Sequence, residues 1–311
     1  MAKYLVTGGA GFIGSNLARE LVKRKNEVIV FDNFSTGKIE NLRDILNKIK
    51  IIKGDIRNLD TLKKATRGVD YVIHLAAIAS VKKSIEEPIQ TNRVNIDGTL
   101  NVLKSAKEAK VKKVIFASSC AVYGNLNNKK ANEKIRPKPI SPYGKAKLKG
   151  ETFCKKFSKQ GLKTVILRFF NVFGPNQDPK GEYSAVIPKF INLSLIGKDP
   201  VIYGDGKQSR DFIFVKDVIK SIILACKSNF EKGEVFNIGS GKSFNLLELI
   251  AFLKKLLKKE IYPIFKKERK GDIKNSYSDI SKAKKYLRFY PSYSFEKGLK
   301  ETIKFYKEKL K

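Results

Sequence analysis

A strand-like apolar run, Tyr4-Leu5-Val6, breaks into Thr7-Gly8-Gly9-Ala10-Gly11-Phe12-Ile13-Gly14, and a helix-period segment follows around Asn16 to Lys25. Few contexts need so many glycines between a strand and a helix. Glycine permits a tight turn, and it lets a phosphate approach backbone N–H groups at a helix N-terminus. Two overlapping spacings are present, Gly9-x-Gly11-x-x-Gly14 and Gly8-x-x-Gly11-x-x-Gly14. A second strand, Glu27 to Phe31, is followed at once by Asp32, eighteen residues after Gly14. A carboxylate there accepts hydrogen bonds from ribose hydroxyls and repels a 2′-phosphate, which favours NAD over NADP. Asp55-Ile56, after a third strand at Ile49 to Ile52, is placed to meet the adenine.

The same rhythm continues. Tyr71 to Leu75, Val114 to Ala117 and Thr164 to Phe169 read as strands with helical patterns between them. Alternation of this kind predicts an α/β fold, a Rossmann-type doubly wound and mostly parallel sheet. From Phe173 the rhythm breaks into Gly174-Pro175-Asn176-Gln177-Asp178-Pro179, with later helices at Leu246 to Lys258 and Leu299 to Lys309. The reading is a nucleotide-binding unit over 1–170, re-entered by about 211–237. A smaller α/β substrate-binding lobe takes 171–210 and 238–311.

Tyr143-Gly144-Lys145-Ala146-Lys147 places a tyrosine and a lysine four residues apart, on one face of a helix that Ser141-Pro142 starts. A free tyrosine, with a pKa of about 10, is a poor base at neutral pH. A nearby ammonium and a positive nicotinamide ring are expected to stabilise its phenolate. Upstream, Ser118-Ser119-Cys120 ends a strand with hydroxyls at the sheet's carboxyl edge, where ligands bind. Lys145 and Lys149 read as solvated, as do Lys82 and Lys83. His74, the single histidine, reads as a satisfied core residue. Asn92 is expected to cap a helix from Asn95 to Lys107, with Asn95 reaching water or backbone near the site.

Composition narrows the classes. The 311 residues carry 64 Lys and Arg against 30 Asp and Glu, a formal +34. That tempts one towards nucleic acid, but the excess is +17 in residues 1–150 and +17 in 151–311, with no arm or tail. A lysine-rich solvated surface is the expectation, and the run Lys254 to Lys270 reads as one helix's solvated face plus a loop. A hydrophobic content of 42% is enough for a core, which excludes disorder. No apolar stretch reaches the length of a membrane span, and the start does not resemble a signal peptide. Cys120, Cys154 and Cys226 fit neither a disulfide framework nor a zinc site. The expectation is a cytoplasmic protein with no metal and no nucleic-acid or membrane partner.

With these residues in hand, the chain resembles the extended short-chain dehydrogenase/reductases of the nucleotide-sugar epimerase group, over nearly its whole length. The carrying segments are TGGAGFIGS (7–15), DNFSTG (32–37), HLAA (74–77), SSCAVYG (118–124), SPYGKAK (141–147), RFFNVFGP (168–175), QDPKGEYSAVIPKFI (177–191), GDGKQSRDFIFV (204–215) and RKGD (269–272). The resemblance implies Ser119, Tyr143 and Lys147 as the catalytic triad, with Ser118 beside it in the substrate pocket. It implies NAD on Gly8, Gly11, Phe12, Ile13, Gly14, Asp32, Asn33, Ser35, Thr36, Gly37, Asp55, Ile56, Leu75, Ala76 and Ala77, and on Tyr143 and Lys147. Asn171, Val186 and Tyr203 would hold a nucleotide sugar, Arg210 and Arg269 its diphosphate, and Asp272 the uridine ribose side.

Related dehydratases carry an acid pair after the strand and decarboxylases a glutamate; Cys120-Ala121 offers no carboxylate, which leaves 4-epimerisation of a UDP-sugar. Four residues after Asp272 stands Ser276, where a small residue in this family admits a 2-acetamido group. The implied substrate pair is UDP-N-acetylglucosamine and UDP-N-acetylgalactosamine, with the UDP-glucose/UDP-galactose pair as the alternative. Another NAD-dependent nucleotide-sugar oxidoreductase, which would consume cofactor stoichiometrically, is a further alternative. An NAD-sensing or nucleic-acid-binding module is the non-enzyme alternative. A homodimer through helices near 93–109 and 143–159 is also implied.

Overall fold

Both faces of the first strand are apolar: Tyr4 and Val6 enter one core and Leu5 another. Such a strand must be covered on two sides, the setting of a parallel sheet between helix layers. The structure, a computed structural model, describes residues 1–126, 129–179, 184–268 and 275–310. Its first half runs β1 (Lys3–Thr7), α1 (Phe12–Lys23), β2 (Glu27–Asp32), β3 (Lys50–Lys53), α2 (Leu59–Thr66), β4 (Tyr71–His74), α3 (Val81–Glu86), α4 (Pro88–Asn92), α5 (Gly98–Glu108), β5 (Lys113–Ser119), α6 (Pro142–Ser158) and β6 (Thr164–Phe169). The second half runs β7 (Asn171–Phe173), α7 (Val186–Leu195), β8 (Val201–Tyr203), β9 (Ser209–Arg210), β10 (Phe212–Phe214), α8 (Val215–Lys227), β11 (Lys232–Ile238), β12 (Phe244–Asn245), α9 (Leu246–Leu257), β13 (Ile264–Lys266), β14 (Asn275–Ser276), α10 (Ser281–Leu287) and α11 (Phe295–Leu310).

Seven strands form the central sheet in the order β11-β6-β5-β4-β1-β2-β3, and every pairing is parallel. The order reverses between β1 and β4, so a crevice opens at their carboxyl ends, where doubly wound sheets bind ligands. On one face Leu17 and Leu21 of α1 and Val218 and Ile222 of α8 pack with Val6, Val30 and Leu167. On the other, Leu62 of α2, Val102 and Leu103 of α5 and Phe157 of α6 pack with Leu5, Phe31 and Phe116. β11 returns to the sheet beside β6, bringing the chain after β10 back to the first unit.

Away from the sheet, short ladders carry the remaining segments. β7 pairs with β10, β13 with β8, and β9 lies between β12 and β14. Two elements differ from the sequence reading. Helix α1 starts at Phe12 because Gly11 is its extended N-cap. The predicted helix over 95–107 is instead a run from Pro88 to Glu108, with a π-helical turn at Arg93–Asp97. Asn92 lies inside that run with helical backbone and makes no capping bond. Among the described residues no helix is long and apolar enough to cross a membrane, and no group of three or more His, Cys, Asp and Glu is placed to hold a metal ion.

Candidate functional site

The loop after β1 is shaped by its glycines. Gly8 has φ +69°, and a Cβ there would stand 2.8 Å from the Ala76 nitrogen. At Gly14 a Cβ would stand 2.2 Å from the Gly8 carbonyl oxygen, so only glycine lets α1 close onto the loop. Gly9 instead faces Val30, which makes Gly8-x-x-Gly11-x-x-Gly14 the spacing whose glycines ring the loop. Helix α1 has no side-chain N-cap and no acid in its first turn. Its N–H groups and dipole therefore remain available to an anion. A cavity of about 380 Å³ opens there, lined by Gly11, Phe12, Thr36, Asn176, Gln177 and Tyr306.

Asp32, at the end of β2, is buried. Its Oδ2 accepts from the Ala10 N–H at 2.9 Å and its Oδ1 from the Phe34 N–H at 2.8 Å. These bonds aim the carboxylate while leaving each oxygen a second lone pair for a ribose hydroxyl. A Cβ on Gly37 would press 2.9 Å from Oδ2, so the loop holding Asn33, Ser35, Thr36 and Gly37 wraps this carboxylate. Asn33 donates to Asp55 at 2.9 Å, and Arg57 pairs with Asp55 at 2.7 Å, holding that carboxyl well below the usual range. Ile56 is buried against Gly98. Leu75 and Ala76 leave β4 on bonds to Thr7, and half-buried Ala77 follows. Residues, cradle and helix end thus fit an NAD dinucleotide, from pyrophosphate to adenosine ribose.

The second cluster sits where β5 and α6 meet. Ser141 caps α6 by accepting from the Gly144 N–H at 3.1 Å, with Pro142 in the first turn. Buried Ser84 accepts from the Tyr143 N–H at 3.1 Å and so ties α3 to the same turn. Nothing in the sequence pattern singled out Ser84. Tyr143 and Lys147 are both buried on the inner face of α6, and Lys145 and Lys149 are exposed. Lys147 Nζ donates to the Ala117 carbonyl at 2.8 Å and stands 5.9 Å from the Tyr143 ring centroid. Ser119 ends β5 with its hydroxyl next to the Tyr143 hydroxyl.

Here the electrostatics differ from the sequence expectation. Burial pushes the Tyr143 phenol up to about 12, with the Ser119 hydroxyl pulling the other way. Burial pushes Lys147 down to about 8. In a dry pocket each group is driven towards its neutral form, and one of the lysine's three donors is used on a backbone carbonyl. The protein alone does not lower the phenol; a positive ring beside it acts in that direction.

Of the residues expected on the substrate side, Asn171, Tyr203, Arg210 and Ser276 lie on the short ladders. Ser276 is in parallel register with Arg210. The Asp211 N–H donates to the Ser276 carbonyl at 2.8 Å, and the Asn171 N–H to the Asp211 carbonyl at 3.0 Å. The buried Asp211 carboxylate accepts from Ser240, Gly241 and Ser278, which fastens three segments together. The Cys120 thiol meets the hydroxyls of Ser119 and Ser276, beside Arg210, and so joins the two clusters. Val186 opens α7 and Tyr203 ends β8. Arg269 and Asp272 lie outside the described residues.

Ser118 changes its reading, and Asn95 makes the backbone contact expected of it. Ser118, placed by the resemblance in the substrate pocket, is buried, and its hydroxyl donates to Glu151 at 2.6 Å. Strand alternation turns it away from Ser119. Asn95 bonds both the N–H and the carbonyl of Ile78, so its role is to hold backbone. His74 is a core residue between Thr7 and Thr99. Lys82 and Lys83 stand on α3 within 3.6 Å of Glu86 and Glu87 respectively.

Comparison with known proteins follows the same lines. The sequence model of the NAD dependent epimerase/dehydratase family matches residues 4–239. A UDP-N-acetylglucosamine 4-epimerase from Methanobrevibacter ruminantium, solved in complex with UDP-N-acetylmuramic acid, is 43% identical with a TM-score of 0.95, covering 99% of each chain. A UDP-glucose 4-epimerase from Thermotoga maritima, solved with UDP-glucose, is 38% identical with a TM-score of 0.94, covering 99% of this chain and 100% of that one. A UDP-glucose 4-epimerase from Thermus thermophilus, solved with NAD, is 34% identical with a TM-score of 0.90, covering 98% of this chain and 99% of that one.

Proposed function

The chain belongs to the NAD-dependent epimerase/dehydratase family, among its UDP-sugar 4-epimerases, and from that premise we propose that it favours UDP-N-acetylglucosamine and UDP-N-acetylgalactosamine. The observation that carries this preference is Ser276. It stands in register with Arg210, with its hydroxyl at the Cys120 thiol beside Ser119. A small side chain at that point leaves room next to the reacting group, where a bulky ring would fill it. The likeness to the Methanobrevibacter enzyme supports the same reading. The likeness to the Thermotoga enzyme supports turnover of UDP-glucose as a second, slower activity.

NAD, when bound, supplies a reversible hydride acceptor for carbon 4 of the sugar. The glycine loop and the N-terminus of α1 would hold its pyrophosphate, Asp32 its adenosine ribose, and Lys147 its nicotinamide ribose. Tyr143, as the phenolate, would take the proton of the 4-hydroxyl and give it back on the other face. Ser119 hydrogen-bonds the same sugar oxygen and keeps it at the phenol. The sugar turns between the two transfers while the nucleotide end stays bound, with the Arg210 fork on the diphosphate and Arg269 and Asp272 completing the grip. Cys120-Ala121 puts no carboxylate where elimination of water or loss of carbon dioxide would need one.

Ser276→Tyr tests the preference. The substitution is expected to lower kcat/KM for the acetamido sugar at least tenfold more than for UDP-glucose. Equal losses on both substrates would remove position 276 from the account.

A further inference from the structure

Behind the reacting group, and away from the cleft, lies a buried charged network that the reaction as described does not use. Glu151 on α6 and Arg168 on β6 are 1% and 3% exposed. Arg168 Nε donates to Glu151 Oε1 at 2.8 Å and its Nη2 to Oε2 at 2.7 Å, a bidentate pair. Oε1 also accepts the Ser118 hydroxyl at 2.6 Å. One carboxylate therefore holds α6 to two strands at once, at a point where Ser118 and Arg168 stand in register across β5 and β6. The guanidinium also lies over Tyr123, 4.6 Å from the ring centroid, and the Tyr123 hydroxyl donates to Asn237 at 2.7 Å.

The spacing along the chain gives this network its meaning. Glu151 is one helical turn beyond Lys147 and two beyond Tyr143, and Ser118 is the residue before Ser119. A buried ion pair is a poor device for stability alone, because apolar side chains of similar volume serve at least as well. What it adds is geometry. Apolar packing tolerates sliding, whereas a forked guanidinium and a short hydroxyl bond fix both the rotation and the height of α6. We infer that Glu151, held by Arg168 and Ser118, is a positioning residue that sets the distance of Tyr143 and Lys147 from Ser119. The inference rests on the epimerase reading of the site. Ser118 thereby gains a role different from the substrate contact that the resemblance implied.

Ser118→Ala removes the lightest member and leaves the ion pair intact. A small displacement of reacting groups costs on the order of tenfold or more in rate, so kcat is expected to fall about tenfold. KM and NAD content should stay within about twofold. The phenol, less well served by Ser119, titrates at higher pH, so the rise of kcat with pH moves upward. Ser118→Thr, which restores a hydroxyl, should recover most of the loss, and Glu151→Gln should lower kcat further than Ser118→Ala does. Wild-type kcat and pH profile in Ser118→Ala would overturn the inference, as would a loss appearing only in KM or NAD content. If the wild-type protein converts no UDP-sugar, the epimerase reading fails. The tyrosinate absorbance of Tyr143, taken as the difference from Tyr143→Phe, then still decides the positioning role. An unchanged titration in Ser118→Ala overturns it, and an upward shift supports it.

Discussion

Tyr143 is the residue to which the proposed mechanism gives the proton transfer, and its surroundings make it a reluctant acid. Burial holds the phenol near 12 in the protein alone, so the proton leaves only when positive charge stands close by. Replacing it with phenylalanine removes the proposed proton acceptor and leaves the glycine loop after β1 unaltered in sequence. Tyr143→Phe should lower kcat by roughly 10²- to 10⁴-fold, with NAD still bound in the purified protein. Loss of NAD together with activity would mean that Tyr143 retains the cofactor and would leave its chemical role unsupported. The Tyr–Lys spacing was legible in the sequence because four residues on a helix share a face. The adjacent serines were not separable there. Only the strand's alternation assigns Ser118 to the interior and Ser119 to the cleft. The neighbourhood of Cys120 was not legible either: Ser276 is distant in the chain and arrives by a two-residue ladder.

At the scale of elements, β4 shows how a buried polar group ties layers together. His74 Nδ1 lies 2.8 Å from the Thr7 hydroxyl on β1 and Nε2 3.0 Å from the Thr99 hydroxyl on α5. Thr99 gives its own proton to the Asn95 carbonyl at 2.7 Å. The network therefore assigns the N–H to Nε2 and leaves Nδ1 as acceptor. Burial, with Lys147 adding to it, pushes this histidine down to about 3. A depressed pKa means that the unfolded chain takes up a proton first as pH falls. Stability is thus fully present above about pH 6.5 and is lost progressively from there as pH falls towards about 3. Urea midpoints of the wild type should fall more steeply between pH 6.5 and 4 than those of His74→Gln; parallel curves would refute this. Element positions were mostly legible, and Thr164–Phe169 coincides with its reading. The π-helical turn was not, because one extra residue in a helix leaves the apolar period almost intact. The short ladders were not legible either, since two residues carry no period.

For the whole molecule, the excess of 64 basic over 30 acidic residues has a physical reading in the surface. Lysines line the outer face of α6 at 145, 149, 155 and 156, while the one lysine of that helix turned inward, Lys147, lies beside Tyr143. The doubly wound sheet supplies the crevice, the glycine loop the anion cradle, and the lobe beyond β6 brings Arg210, Ser276 and Asn171 to the same edge. Fold and cofactor were legible because they rest on long parallel strands and on glycines with a steric purpose. The proposed sugar preference was less legible, because the residues that carry it come from segments far apart in sequence. The measurement that tests the account most directly is a parallel assay of purified protein, with no added cofactor, on UDP-N-acetylglucosamine, UDP-N-acetylgalactosamine and UDP-glucose. The two acetamido sugars should converge on one equilibrium mixture without net NADH, faster than UDP-glucose approaches its own. Conversion of UDP-glucose alone would contradict the substrate assignment, and stoichiometric NADH with an oxidised product would contradict epimerisation itself.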